Sequence, residues 1–385
     1  MKKLLIPLLT PALILLFIVC VACTKEISPV KRNLTSLNAL DTSYSSTVKK
    51  IAANFDTLLI TTKTVVTTKV TYDTVVHKYV APVVITIPSV KPIIFVVSPP
   101  IVAKSGQIIK GLNITGGKTS GIIIGPGIHD VTILSCFIHD CATDNGGIYI
   151  EKGAYNITVR NSIIQNCGRG VNNVAGAQNI VVVGNYLLNI QSITGSGAGG
   201  GSDVQFNTTT GTGQRVDSNF VWHQTPNAAI GDCLSFYHCK GTPTSYMSMK
   251  HNVVLGGSTY SAGKSAGVVG DEWGSYQDCE YNIAVNSGME GWQVQGGTYI
   301  ICSNNVAFSD GSNPVANVGY AYGSYAGVAS NNVTMANNRS NWLKKDKKTV
   351  SDFWFDSKNV SQPAGWSTNK HDGTITVKIL PNPLF

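Results

Sequence analysis

The sequence predicts an all-β solenoid over residues 105–340, and three observations predict it. Two strand-like patterns recur in step along that span. Their spacing is that of one coil of chain, roughly 22–35 residues. The composition also fits: of 385 residues 13% are charged, 43% are hydrophobic and 39 are glycine. That mixture suits short strands joined by many turns better than helices.

The first pattern is Asn followed by a mostly apolar triplet. It reads Asn161-Ser162-Ile163-Ile164, Asn185-Tyr186-Leu187-Leu188, Asn219-Phe220-Val221-Trp222, Asn252-Val253-Val254-Leu255, Asn282-Ile283-Ala284-Val285, Asn305-Val306-Ala307-Phe308 and Asn332-Val333-Thr334-Met335. Gly111 and Ser135 take the Asn place in two earlier copies. Asn tolerates a tight bend and can bond an Asn one coil away.

The second pattern is a Gly-like residue followed by alternating apolar residues. Examples are Gly147-Ile148-Tyr149-Ile150, Asp203-Val204-Gln205-Phe206, Cys233-Leu234-Ser235-Phe236 and Gly291-Trp292-Gln293-Val294. Period-2 alternation sends Ile148, Ile150, Val204, Phe206, Leu234, Phe236, Trp292 and Val294 inward. Stacked coils would pair every backbone N–H and C=O with the coil above or below.

On these residues the chain resembles the pectin-lyase-like right-handed parallel β-helix superfamily. The resemblance implies about eight or nine coils with three short strands each. The Gly pattern would be the first strand, and the Asn would sit in the turn between the second and third. It is specific for fold and weak for activity, because the superfamily includes lyases, hydrolases, epimerases and non-enzymes.

Cysteines and charges keep the same register. Cys279 and Cys302 precede their Asn by three residues, and Cys141 and Cys167 follow by six, so each pair should stack. Inward thiols on parallel strands are expected to be buried and free. Asp217, Lys250 and Glu280 share one position, and Arg215 and Asp278 another, as a cross-coil salt-bridge ladder would. Such a ladder raises a lysine's pKa, which is wrong for a base.

Outside the solenoid, Lys2 and Lys3 precede an apolar run from Leu4 to Val19 that ends Cys20-Val21-Ala22-Cys23. This is a secretory signal in layout. It resembles a bacterial lipoprotein signal over residues 1–23, which implies acylation at Cys23, although Cys20 stands where that family usually has Leu. The protein is therefore expected to be exported and lipid-anchored at the outer membrane or cell surface. Residues 24–104 are Thr/Val-rich and then Pro-rich, an extended stalk and N-terminal cap. Residues 341–385, with Trp342, Phe353, Trp354 and Trp366, are expected to cap the last coil.

The net charge of +8 is unevenly spread. Residues 1–120 carry 14 basic and 4 acidic residues, whereas residues 121–340 carry 8 and 13. The solenoid is thus mildly acidic, without a basic patch, and nucleic acid is not an expected partner. A monomer that meets a polysaccharide or cell-surface glycan is.

In lyases of the resembled superfamily the substrate lies over the first strand. That implies binding by Gln205, Asn207, Ser235, Tyr237, Gln293 and Gln295, with Trp273 stacking on a sugar face. The coils here also carry the longest insertions, which often build sites. Asp203, Asp232, Asp271 and Glu272 fall near one face on successive coils, and carboxylates so placed repel unless a cation separates them. Hard oxygens suit Ca²⁺. Family lyases use such an ion to neutralise a uronate while a base removes the adjacent proton. Lys240, Lys264, His238 and Arg169 are the candidate bases. The hydrolase pattern of the same superfamily, a GDD segment with a later GHG, is altered here to Gly231-Asp232-Cys233 and Gly270-Asp271-Glu272. The sequence reading is therefore a Ca²⁺-assisted lyase on an acidic glycan, or a non-catalytic glycan-binding or adhesive lipoprotein.

Overall fold

The computed structural model describes residues 95–377 apart from 175, 194–200, 226 and 261–263, together with two short strands, Leu5–Ile6 and Ile93–Ile94. Cys23 and most of the stalk lie outside the described residues. The chain divides into two units, residues 1–94 with 381–385, and residues 95–380. In the first unit the two short strands pair antiparallel. The second unit is a parallel solenoid.

Three sheets run along the solenoid, of 10, 9 and 11 strands, and each strand pairs with those one coil before and after it. One coil is typical: Val171–Asn173 in the first sheet, Gln178–Val183 in the second and Tyr186–Leu188 in the third. A single turn of 3-10 helix is formed by Trp366–Thr368 near the C-terminal end of the ladder. The ladder begins at Val96–Ser98 and ends at Lys370–His371, so it extends past both ends of the span marked by the Asn pattern. The first coils use other residues at the turn, Phe95 before Val96–Ser98 and Cys136 before Phe137–Cys141, so the Asn pattern fades there, whereas at the C-terminal end Asn338 and Asn369 continue it.

The apolar alternation fills the interior. Ile148, Ile150, Val204, Phe206, Leu234, Phe236, Trp292 and Val294 are all fully buried. The largest of them, Trp292, lies beside Gly267 in the neighbouring coil. A Cβ on Gly267 would stand 2.5 Å from the indole Cζ3. Gly267→Ala is therefore expected to destabilise by about 1–3 kcal/mol, as overpacking does, and to lower the midpoint of thermal unfolding.

The second turn explains the Asn pattern and corrects its register. The turn has two residues, both favourable to Asn. The first is left-handed, as in Asn161 (φ 51°), Ser218 (φ 55°) and Asn304 (φ 58°). The second forms the ladder, buried at Ser162, Asn185, Asn219, Asn252, Asn282, Asn305 and Asn338 and half-buried at its last member, Asn369. Asn161 thus occupies the bend and Ser162 the ladder. Asn332 is in neither place; it is a left-handed residue (φ 51°) near the start of a second-sheet strand, and Asn338 is the ladder member of that coil. Both turn positions and the strand bulge favour the same residue type, so sequence alone could not separate them.

Cys279 and Cys302 are register partners. All seven described cysteines are buried and free. The charged ladder also stands: Lys250 is a register partner of Asp217 and Glu280, and its Nζ lies 2.5 Å from Asp278 and 2.9 Å from Glu280. Burial alone would lower the Lys250 pKa, but its bonds to Asp278 and Glu280 outweigh that and raise it. At the C-terminal end Phe353 stacks on Tyr320, and Trp366 meets Phe353 and Phe355 edge-on.

Candidate functional site

The outward residues of the first sheet form one register: Tyr149, Asn172, Gln205, Ser235, Val268, Gln293 and Ala321. Ser235, Val268 and Gln293 are almost fully buried although they point away from the core. Charged side chains from both flanking turns gather beside this stretch of the outer face.

From the turn before the strand, Asp232 accepts hydrogen bonds from Lys264 Nζ (3.2 Å), Ser265 N (2.8 Å) and Ser265 Oγ (3.0 Å). These donors suit a carboxylate. Ser265 is a register partner of Glu290, which is 7% exposed. From the turn after the strand, Asp271 and Glu272 approach the same face. Burial, then the charges of Asp232 and Glu272, push Asp271 up to about 7, against a smaller opposing effect of Lys264. Burial and the charge of Asp232 push Glu290 up to about 8, partly offset by a hydrogen bond with Gln293. Two carboxyl groups here thus hold protons near neutrality, which is how a site prepares an acid.

Glu272 adopts a left-handed backbone (φ 56°) and its carboxylate bonds His238 Nε2. The His238 ring stacks on Tyr237 at 3.9 Å between centroids. Burial, followed by the charges of Glu272 and Asp271, raises the Tyr237 pKa, so its hydroxyl remains a donor. Trp273 follows, 59% exposed, with its ring available at the rim. Asn207 is a register partner of Tyr237, and Gln295 ends the strand that carries Gln293.

The sequence-derived candidates therefore separate. Asp232, Asp271, Glu272, Lys264, His238, Ser235, Tyr237 and Gln293 belong to one neighbourhood. Asp203 does not join the outer carboxyls. It is fully buried and lies 2.9 Å from His223 Nε2. Strict alternation put it outside, but it sits at the corner before Val204, where the chain turns and the two-residue rule lapses. Lys264 is unsuited to proton abstraction: burial alone would depress its pKa, but Asp232 more than compensates and raises it. Lys240 is exposed on the turn, bridged in the backbone ladder to Thr210 and Ser275. Arg169 Nη1 donates to the Asp144 carbonyl at 3.0 Å. Glu290 was missed. It lies one residue before the Gly291-Trp292-Gln293-Val294 motif, and its register with Ser265, beside Asp232, was the signal that could have found it.

Comparison with known proteins bears on the fold. A family model described as "Right handed beta helix region" matches residues 101–187. The chain is a right-handed parallel β-helix. Among curated proteins none matches its sequence. Among solved structures the β-helix is similar to the catalytic domain of a GH87 alpha-1,3-glucanase in complex with tetrasaccharides, at 12% identity and a TM-score of 0.33, covering 69% of this chain and 55% of that one. It is also similar to the Dettilon tailspike protein, at 10% identity and a TM-score of 0.32, covering 72% of this chain and 64% of that one. In both cases less than two thirds of the solved chain is spanned.

Proposed function

We propose that this β-helix is an exported, lipid-anchored protein that binds a glycan along the outer face of its first sheet and cleaves it by carboxyl acid–base chemistry. The supporting observation is that Asp232, bonded by Lys264 and Ser265, acts on both Asp271 and Glu290, while the environments of these carboxyls differ sharply. Asp232 is surrounded by donors; Asp271 is driven towards its protonated form. Two carboxyls set apart in this way can divide the work of glycoside hydrolysis. Asp271 gives a proton to the departing glycosidic oxygen, and Asp232 receives one from water or attacks directly. Gln205, Asn207, Tyr237 and Gln295 offer donors and acceptors for sugar hydroxyls. Trp273 offers a ring face. Acylation at Cys23 would hold the protein at the outer membrane or cell surface.

A second reading has its own support. Asp232, Asp271, Glu272 and Glu290 outnumber the basic groups Lys264 and His238, and a Ca²⁺ ion would relieve that excess. Such an ion would suit β-elimination on an acidic glycan, with His238, oriented by Glu272, as the base and Tyr237 as a proton donor.

The test is a panel of neutral and uronate-containing polysaccharides, assayed with Ca²⁺ and with EDTA. Hydrolysis is expected: new reducing ends, no ultraviolet absorbance from an unsaturated sugar, and no loss with EDTA. An unsaturated product that EDTA abolishes would transfer the assignment to the lyase reading. Retention on a glycan array with no product from any polysaccharide would remove the catalytic role.

A further inference from the structure

We propose that Asp203, His223 and Cys233 form a buried site for a divalent transition metal of the zinc type. The site is separate from the outer carboxyl cluster, and its three donors come from two successive coils. Asp203 opens a first-sheet strand, His223 follows the third-sheet strand Phe220–Trp222 of the same coil, and Cys233 opens the next first-sheet strand.

The geometry points to an ion. Asp203 Oδ2 is 2.9 Å and Cys233 Sγ 3.8 Å from the same atom, His223 Nε2. The three donor atoms all lie within 4.8 Å of one another. A nucleophilic Cys–His–Asp triad would divide its partners between the two ring nitrogens, the thiol on one and the carboxylate on the other. Here both converge on one nitrogen, as ligands do around a common centre. One oxygen, one nitrogen and one sulfur are a borderline-soft set that suits Zn²⁺ and excludes Ca²⁺.

The burial supports the same reading. All three residues are at most 3% exposed. Asp203 Oδ1 and His223 Nδ1 are buried with no protein partner among the described residues. Buried polar atoms are ordinarily satisfied, so each such orphan requires an explanation. An ion held by both carboxylate oxygens would supply one for Asp203 Oδ1. Binding releases the Cys233 thiol proton to solvent and sets two positive charges against one carboxylate and one thiolate, so no net charge remains buried. His223 also borders a cavity of about 220 Å³ lined by Asn189, Gln191, Gln224, Asn227 and Ile230.

The experiment loads the full chain with Co²⁺ as a spectroscopic substitute, removes excess ion by dialysis, and measures bound metal and absorbance. About one ion per chain is expected, with a thiolate-to-cobalt charge-transfer band in the near ultraviolet. Cys233→Ser and His223→Gln should each lose the band, while Cys279→Ser, at a buried cysteine elsewhere in the stack, should retain it. Unmodified chain that keeps no metal, or keeps it without a thiolate band, overturns the proposal whatever the variants do. So does a band that persists in Cys233→Ser.

Discussion

Asn252→Ala is expected to cost roughly 3–5 kcal/mol, since several buried polar groups lose their partners at once. The Asn252 side chain accepts from Asn219 N (2.9 Å) and Asn219 Nδ2 (3.1 Å). It donates to the Val216 carbonyl (2.8 Å) and to Asn282 Oδ1 (3.0 Å). Asn219, Asn252 and Asn282 are all essentially unexposed, so water cannot replace what is lost. The chain supplies its own control. Ser162 holds the same ladder position and satisfies the Cys136 amide through its hydroxyl at 3.1 Å. Asn252→Ser should therefore be milder than Asn252→Ala. Urea midpoints measure both, and amide exchange should show the opening centred on the coils around Asn252. Equal losses for Ser and Ala would mean that ladder acceptance is not what stabilises the turn.

Asp271→Asn is expected to reduce glycan cleavage by about 10²–10⁴-fold, the range for loss of a positioned acid, while making the protein more stable in mild alkali. The two effects share one cause. In the folded chain Asp271 titrates near 7, against 3.8 ordinarily. Between those values the folded state keeps a proton that the unfolded chain releases, so this group's contribution to stability falls as pH rises across the window. Above 7 the folded chain must hold a buried carboxylate beside Asp232 and Glu272. The amide removes that burden. The thermal midpoint of Asp271→Asn should exceed that of the parent at pH 8, and the gap should close near pH 4. Glu290→Gln should behave alike, with its window running from 4.5 up to about 8. Activity of the parent should fall as pH rises through about 7. A flat profile there, or a variant that cleaves as the parent does, would remove Asp271 from the acid role.

The proposed function and stability would thus oppose each other on one face of an otherwise self-consistent solenoid. The interior is built of repeated apolar stacks and satisfied asparagines, and the outer face of the Leu234–Tyr237 coil and its neighbours collects carboxyls at a cost. Sites commonly hold such strain while the scaffold around them carries it.

The sequence by itself determined the repeat, the inward set from Ile148 to Val294, the stacking of Cys279 on Cys302 and the Asp217–Lys250–Glu280 register. These follow from period-2 alternation and from the constancy of the coil, both local properties that stacking repeats. It also indicated the outer face of the first sheet and most members of its carboxyl cluster. Only the tertiary structure decided the rest, and each difference arose at a corner. Asn161 and Ser162 exchanged roles because both turn positions favour the same kinds of residue. Asp203 turned inward to His223 and Cys233 because alternation ends where the strand ends. Lys264 became a partner of Asp232 because side-chain reach across coils is not encoded in spacing. Strands propagate a rule that can be read along the chain, whereas at turns the direction of a side chain is set by the coils above and below it.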